Sequence, residues 1–195
     1  MKSEADAFKP VESGIAFSVR RAMPHADAVS NLTINETSDG SLANIRFDIN
    51  DKAANAYAFF PSEKSSGGYG GDAWFPTRLN LDSPAKGSVL QLAALHGAGH
   101  ALGLKHAHGY EGGTGVYVTP EFLVPTPVSP EHDAQEYTVM SYRDYPGDDP
   151  VGGLGLNKYS YPQTYMMYDA AAPKQLYGAD FTTNSSDSIY TVSPT

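Results

Sequence analysis

Three histidines in one short segment constrain this chain more than any other feature of its sequence. The segment HGAGHALGLKH places His96 and His100 four residues apart, and His106 follows six residues later. On an α-helix, side chains four residues apart lie on one face, one turn from each other, and can bind the same ion. Gly103 can adopt the left-handed conformation that ends a helix and turns the chain back. The spacing therefore predicts a metal site made by a helix and the loop after it.

The residue types in this site favour zinc. The chain has no cysteine, so a metal must be bound by His, Asp, Glu or Tyr. Three neutral imidazoles leave a fourth position for water, which is typical of catalytic rather than structural zinc. Zinc lowers the pKa of its water from about 15.7 to about 7, which provides a hydroxide nucleophile at neutral pH. The alternative is a coincidental cluster of solvated histidines. The chance of this spacing arising among six histidines in 195 residues is under about one per cent.

Hydrophobic periodicity predicts helices and short strands joined by long loops. Helices are expected at 13–29, 85–102 and 165–177, with Pro24 ending or kinking the first and Pro173 weakening the last. Strand-like runs cover 32–37, 44–50, 56–60 and 72–75. Residues 107–136 and 146–163 are long loops rich in Gly and Pro, a length that favours functional loops. The tail after Asp180 is strand-like at best.

Charge and composition exclude two classes of partner. A net charge of -9, with 13 Lys and Arg facing 22 acidic residues, argues against nucleic acid, because no basic face can be assembled. No run of residues is long and apolar enough for a membrane span, and the polar start MKSEADAFKP lacks the pattern of a secretory signal. The oligomeric state is not indicated.

The pattern HxxxHxxGxxH followed by a methionine turn is the signature of the metzincins, and here VMSY supplies that methionine, Met140. Within this group the chain resembles the serralysins, bacterial secreted zinc endopeptidases, from about residue 15 to 190. The segments that carry the resemblance are GHALGLKH and YTVMSY around the site, YAFFP and GDAWF upstream, and LYGAD downstream.

The resemblance implies an α+β, zincin-like fold of two lobes. A twisted mixed sheet and the active-site helix would form an upper lobe at about 1–103, and a lower lobe at about 104–180 would carry the Met-turn and the last helix. The catalytic domain would cover 1–190, and 181–195 would begin a C-terminal region that continues in the family. The resemblance also implies an extracellular location.

Roles for individual residues follow from the same resemblance. His96, His100 and His106 would bind zinc, and Tyr142 would be a labile fifth ligand that moves to the transition-state oxyanion. Met140 would pack beneath the metal. Ala56, Tyr57 and Ala58 would belong to the sheet edge that pairs with an extended peptide substrate. An ordinary edge strand is the alternative for these three residues.

One departure from the family pattern concerns catalysis. The family has a glutamate directly after the first histidine, where it acts as general base, whereas this chain has Gly97. Losing a general base costs about 10²- to 10⁴-fold in rate, but zinc binding need not suffer because that glutamate is not a ligand. Gly97 fits either a natural loss or an engineered change, while the prolines Pro24 and Pro173 favour a natural one.

Two functions are consistent with these observations. One is a zinc-dependent metalloendopeptidase, inactive or much impaired, in which zinc-activated water attacks the peptide bond of an extended or unfolded protein substrate. The other is a catalytically silent zinc-binding module that still holds extended peptides. A purely structural domain with vestigial histidines is a third alternative.

Several other polar residues are of types that could belong to a metal or catalytic site. Asp144, Asp148 and Asp149 could bind calcium or be solvated. His25, His108 and His132 lack the spacing that zinc requires, so they are expected to be structural or exposed. Glu111, Glu131 or Glu136 could replace the missing base, although nothing in their spacing supports this.

Overall fold

The fold is described by a computed structural model for residues 11, 13–61, 69–81, 83–107, 128–148, 159–187, 189 and 191. Its elements follow one another as α1 (Ser13–Ala22), α2 (Pro24–Asp27), β1 (Phe47–Asn50), β2 (Tyr57–Ala58), β3 (Ala73–Pro76), a 3-10 helix (Thr77–Leu81), α3 (Val89–Ala101) and α4 (Met167–Tyr177). This is an α+β fold with a small mixed sheet, as expected. The two lobes and the domain boundaries at 103, 180 and 190 remain predictions.

The first predicted helix is interrupted at the expected residue. Ile15, Val19 and Ala22 share one buried face of α1, and this helix packs against α3. Pro24 is the first residue of the short helix α2. At that position its missing N–H costs no intrahelical hydrogen bond and its fixed φ suits the helix. The kink predicted at Pro24 is confirmed.

The sheet has three strands in the order β1-β3-β2. β1 is parallel to β3, and β2 is antiparallel to it, with Tyr57 beside Trp74. Ile49 and Phe75 are buried in the hydrophobic core between the sheet and the helices. The predicted strands at 44–50, 56–60 and 72–75 are therefore confirmed in type, although each predicted run is trimmed or shifted by one or more residues at its ends.

The strand predicted at 32–37 is wrong. These residues have no strand partner in the described structure, although Leu32 and Ile34 pack against the core. The N–H of Ile34 donates instead to a carboxylate oxygen of Asp27 at 2.9 Å. A side chain on α2 thus provides the acceptor that a neighbouring strand would otherwise supply.

Helix α3 carries two of the predicted ligands and is buried on nearly all sides. It begins at Val89 rather than at the predicted residue 85, because the Ser88 side chain accepts the N–H of Gln91 at 3.2 Å and caps the helix. It ends at Ala101, and Gly103 follows in the left-handed region with a φ of 94°. The prediction that Gly103 ends this helix is confirmed.

Helix α4 continues through Pro173, which is buried. The weakening of the last helix that was expected at Pro173 does not interrupt α4. Its N-terminus is capped by Asp169, whose carboxylate accepts the N–H of Met166 at 2.9 Å. Near its C-terminus the Tyr177 hydroxyl donates to the carbonyl of Leu102 at 2.9 Å. Contacts at both ends therefore hold the helix in place despite the proline.

Both predicted loops contain no helix or strand where the structure describes them. The described part of the first loop is 128–136, and that of the second is 146–148 and 159–163. Beyond Asp180 the described residues form no strand, so the weak strand expectation for the tail is wrong there. The nearest pairing is an isolated bridge between Ser30 and Ala179. The carboxylate of Asp180 instead accepts the backbone N–H groups of Thr182 and Thr183, and these bonds produce a local turn.

Two buried carboxylates lie close together in the sheet region, Asp48 on β1 and Asp72 directly before β3. Asp72 forms an ion pair with Arg46 at 2.7 Å. Asp48 is only 1% exposed, and neither of its oxygens has a hydrogen-bond partner among the described residues. Burial, and then the charge of Asp72, raise the pKa of Asp48 to about 7. Folding therefore favours the protonated form of this carboxyl group.

We expect Asp48→Asn to remove a pH dependence of stability. Because the pKa of Asp48 is raised on folding, the wild-type protein should lose up to roughly 2–4 kcal/mol of unfolding free energy as the pH rises from about 4 to above 7. The amide introduced by the substitution cannot ionise, so the variant should be the more stable protein at pH 8. Urea unfolding between pH 4.5 and 8 measures this difference. The exposed acid Asp187 provides a control, since Asp187→Asn should keep the wild-type profile. Parallel profiles for wild type and Asp48→Asn would contradict the assignment.

Candidate metal centre

Three imidazole rings meet where the sequence predicted a metal site. His96 and His100 lie on successive turns of α3, and His106 reaches them from the segment after Gly103. The Nε2 atom of His106 lies 3.2 Å from Nε2 of His96 and 3.0 Å from Nε2 of His100. In the described residues, these histidines form the only group of three or more His, Cys, Asp or Glu side chains placed to hold a metal, with all ligand atoms within 4.8 Å of one another.

The turn at the end of α3 brings His106 back to the helix. The N–H of Gly103 donates to the carbonyl of His100 at 2.8 Å, and the N–H of Leu104 donates to that of Gly99 at 2.9 Å. These bonds close the helix in the manner of a left-handed glycine cap. Two residues later the chain is positioned for the third ring, so this local turn brings His106 back near the helix.

Backbone carbonyl groups orient the two helical rings. The Nδ1–H of His96 donates to the carbonyl of Val139 at 2.8 Å, and the Nδ1–H of His100 donates to that of Leu104 at 2.8 Å. A carbonyl can only accept, so each ring carries a proton on Nδ1 and, in its neutral form, has an unprotonated Nε2. Such a second hydrogen bond fixes the tautomer and the orientation of metal-binding histidines.

The spacing and the charge of these rings fit zinc. Tetrahedral zinc with bonds of 2.0–2.1 Å to nitrogen requires ligand nitrogens about 3.3 Å apart, close to the 3.0 and 3.2 Å found here. Burial, and then the charge of His106, lower the pKa of His100 to about 4. This ring is therefore neutral at pH 7, the form that binds a metal.

Tyr142 is the fourth side chain at this centre. Its hydroxyl lies 2.9 Å from Nε2 of His106, and its ring stacks on His96 with centroids 5.7 Å apart. Burial raises the pKa of the Tyr142 phenol, so the group is a neutral hydrogen-bond donor. The structure thus brings together His96, His100, His106 and Tyr142, while the labile-ligand role of Tyr142 remains a prediction.

Met140 is tightly packed against α3, and its predicted place beneath a metal remains a prediction. It is 2% exposed, and a Cβ atom built on Gly99 would lie 2.7 Å from its sulfur atom. Real Cβ atoms essentially never come so close, so glycine at position 99 allows the sulfur to approach the helix backbone. The N–H of Met140 donates to the Thr138 hydroxyl at 3.0 Å, which fixes the turn.

Gly97 is buried but is not crowded. A Cβ atom at this position would meet Ala73 and Phe75 of β3 at 3.7 and 3.8 Å, which is ordinary contact. The position therefore lies between α3 and β3, next to the ligand His96. Packing does not require glycine here, in contrast to position 99.

The sheet edge leads toward the histidines. Tyr57 and Ala58 form β2, an edge strand of the described sheet, and Ala56 directly precedes it. Beyond β2 the N–H of Phe59 donates to the carbonyl of Asp72 at 2.8 Å. The Phe60 ring then contacts His100 edge to face, with centroids 5.5 Å apart. Substrate binding by this edge remains a prediction.

The remaining candidates lie outside the centre or outside the described residues. His25 contacts the ring of Tyr165, and His132 contacts Tyr137. Neither of these histidines belongs to the metal-binding group. The exposed residues Glu131 and Glu136 do not belong to it either, nor do Asp144 and Asp148. His108, Glu111 and Asp149 fall outside the described residues. The calcium site stays a prediction.

Sequence reasoning missed Asp169, which supports the site through hydrogen bonds to Thr138 and Val139. Asp169, at the start of α4, is 1% exposed. Its carboxylate accepts the Thr138 hydroxyl at 2.5 Å, the N–H of Val139 at 2.8 Å and the N–H of Met166. Because the carbonyl of Val139 accepts the proton of His96, this carboxylate positions a ligand indirectly. No local pattern links Asp169 to a histidine more than seventy residues earlier.

Comparison with known proteins finds metalloproteases that are similar to this chain. Serralysin C of Dickeya chrysanthemi is 32% identical over 141 residues, which is 72% of this chain and 27% of that protein. Serralysin B of the same organism is 30% identical over 85% of this chain and 33% of that protein. Over most of its length, this chain is serralysin-like. The metalloprotease AprA of Pseudomonas entomophila is also similar. It is 29% identical over 94% of this chain and 36% of AprA.

The serralysin-like chain spans 27–36% of the length of these relatives. No protein-family model matches it. Among the described residues, no helix has the length and apolar character needed to cross a membrane.

Two alanine substitutions in the same turn of α3 test the packing against Met140. Gly97→Ala should raise the unfolding free energy by about 0.5–1 kcal/mol, because alanine favours the helix and its methyl group finds ordinary contacts. Gly99→Ala gains the same helix preference but crowds a buried sulfur atom, which costs about 1–3 kcal/mol. Urea unfolding should therefore rank Gly97→Ala above Gly99→Ala. Equal stabilities would show that Met140 does not need the space at position 99.

Proposed function

We propose that this chain binds one zinc ion through His96, His100 and His106 and holds an extended peptide beside β2. We further propose that it hydrolyses peptides much more slowly than a protease with a general base would. The peptide or unfolded protein partner and the extracellular location are proposed from the similarity to serralysins.

The observation that supports zinc most strongly is the convergence of three oriented rings. Two of them have their Nδ1 protons bonded to carbonyl groups at 2.8 Å, which points their unprotonated Nε2 atoms toward His106. The Nε2 atoms of His96 and His100 both lie 3.0–3.2 Å from Nε2 of His106, an arrangement that a shared proton or cation stabilises. Solvated histidines would have neither this orientation nor this spacing, so the arrangement favours a metal.

Hydrolysis would depend on groups beyond the ligands. When bound, zinc supplies polarisation of a peptide carbonyl and activation of water. The Tyr142 hydroxyl lies 2.9 Å from Nε2 of His106 and would donate a hydrogen bond to a developing oxyanion. Gly97 has no side chain that could accept a proton, which is the reason for proposing low activity.

A second candidate is a catalytically silent module that binds zinc and peptide. The observation that favours it is again Gly97, where the space between α3 and β3 admits a side chain that the sequence does not provide. The two candidates share the metal and the peptide edge, and they differ only in whether any cleavage occurs.

Zinc uptake tests the first part of the proposal. The purified chain, stripped and dialysed against buffered zinc, should retain about one zinc per molecule, as measured by atomic emission. His106→Ala removes one of three ligands and should weaken binding more than about tenfold. His132→Ala provides the matched control, because that ring lies outside the group, and its zinc content should not change. A wild-type chain that retains no zinc would refute the metal site.

Proteolysis of an unfolded protein tests the second part. The unaltered chain should cleave slowly or not at all, and Gly97→Glu should be faster by about 10²- to 10⁴-fold, because it introduces a general base. Gly97→Gln has the same shape without a base and should remain slow. Activity of Gly97→Glu should disappear with a zinc chelator. Rapid, chelator-sensitive cleavage by the unaltered chain, equal to that of Gly97→Glu, would contradict the proposed impairment and exclude the silent module.

A further inference from the structure

A surface cavity of about 260 Å³ is lined by none of the residues of the metal centre. Its lining comes from the end of α1, the short helix α2, the segment before α3 and the segment before α4. The lining residues are Arg21, His25, Lys86, Gln163 and Thr164. All five side chains can donate hydrogen bonds, and none is an Asp or Glu. In a chain with 22 acidic and 13 basic residues, such a lining is suited to an anion.

The Arg21 side chain is held at two points beside this cavity. Its Nη1 group donates to the carbonyl of Pro84 at 3.3 Å, and its guanidinium carbon lies 5.6 Å from the centre of the Phe17 ring. A guanidinium has N–H donors on all three of its nitrogens, and their planar arrangement suits two parallel bonds to a phosphate or carboxylate group. Because Pro84 engages only one of these donors, the others remain available to a ligand.

The two fixed positive charges of the cavity belong to Arg21 and Lys86. Among the described residues, no carboxylate forms an ion pair with either side chain, whereas the adjacent Arg20 pairs with Glu36 at 2.6 Å. The charge of Arg21 acts on His25 instead, because burial, and then this charge, lower the pKa of the His25 ring. The ring is therefore a neutral hydrogen-bonding group at pH 7, and the cavity has a positive potential that no described acid offsets.

Charge and size together specify the ligand. Two like charges at one cavity repel each other, and an anion with two negative charges would offset both of them. A phosphate group has nearly this charge at neutral pH, together with several oxygen atoms that accept hydrogen bonds, whereas a carboxylate has one charge. The cavity volume of about 260 Å³ lies below the roughly 300–1,000 Å³ of pockets for drug-sized ligands. The ligand should therefore be phosphate itself or a small phosphate ester.

We propose that this cavity binds a phosphate group, free or in a small monoester, through the charges of Arg21 and Lys86 and the polar groups of Gln163 and Thr164. His25 would add one hydrogen bond from its ring. The cavity is separate from the metal centre, so this inference goes beyond the proposed function and does not rest on it. A bound phosphate would connect α1 and α2 to the segment that leads into α4.

Isothermal titration of the full chain with inorganic phosphate tests the site. The titration is run at about pH 7.5, where most of the phosphate carries two charges, with sodium chloride added to keep the ionic strength constant. We expect a dissociation constant of about 1 mM or lower. Acetate should bind at least about tenfold more weakly, because it offsets only one of the two positive charges. A chain that does not bind phosphate, or that binds acetate equally well, would overturn the inference.

Two variants that each remove one positive charge locate the bound phosphate. Lys86→Gln should weaken phosphate binding at least about fivefold, and Arg21→Gln at least about tenfold, because the guanidinium can form two charge-assisted bonds. Lys52→Gln is the matched control, since it removes the same charge from an exposed lysine outside the cavity. Its affinity for phosphate should equal that of the wild type.

Equal weakening by Lys86→Gln and Lys52→Gln would show that net charge, and not this cavity, attracts phosphate, and would overturn the inference. If Arg21→Gln fails to fold, these two variants still decide, because both lysines are exposed. His106→Ala excludes the metal centre as the phosphate site. It should bind phosphate like the wild type, and a loss of binding in this variant would also overturn the inference.

A second ligand distinguishes the two sources of the phosphate group. Glycerol phosphate is titrated under the same conditions as inorganic phosphate. Binding at least as tight as that of inorganic phosphate would support the site and identify a monoester as its ligand. Binding of inorganic phosphate alone would support the site and identify the free ion.

Discussion

Helix α3 and the segment 138–142 meet where the Met140 side chain packs against Gly99, with its sulfur atom 2.7 Å from where a Cβ atom would lie, and the rest of the centre depends on this contact. The sulfur atom of Met140 occupies the space above Gly99. With the segment held at that distance, the carbonyl of Val139 can accept the Nδ1 proton of His96. Tyr142, two residues beyond Met140, then lies 2.9 Å from the ligand atom of His106. A looser contact would misplace the ring of His96 and the hydroxyl of Tyr142 together.

The same segment is held from its other side by a buried carboxylate. Asp169 accepts bonds from Thr138 and Val139 and also caps α4 through Met166. One side chain therefore links the N-terminus of α4 to the backbone that orients His96. Burial raises the pKa of Asp169, while these three hydrogen bonds oppose that rise. Such an arrangement positions ligands without contacting the metal, in the way that outer groups orient metal-binding residues.

Metal binding and catalysis need different residues, and this chain separates them. The proposed zinc site requires three convergent imidazoles, and His96, His100 and His106 form such a group. General base catalysis requires a proton acceptor beside the ligands, and position 97 offers none. Because the missing group is not a ligand, its loss lowers the expected rate without lowering the expected affinity for zinc.

Local sequence predicted those parts of the structure that local forces determine. The helical spacing of His96 and His100, the turn at Gly103 and the break at Pro24 all follow from backbone geometry and needed no tertiary information. The strand at 32–37 was predicted wrongly, because Asp27 provides the acceptor that decides its conformation. The support by Asp169 and the carbonyl partners of the histidines were not predictable, since they join segments that are distant in sequence. The family resemblance supplied Met140 and Tyr142, which spacing alone does not identify.

X-ray absorption at the zinc edge of the loaded chain tests the central claim most directly, namely that these three histidines bind zinc. The account predicts a first shell at about 2.0–2.1 Å, with the outer-shell scattering of three imidazole rings, and the loss of one ring in His106→Ala. A shell made only of oxygen atoms, or a spectrum that His106→Ala leaves unchanged, would contradict the account.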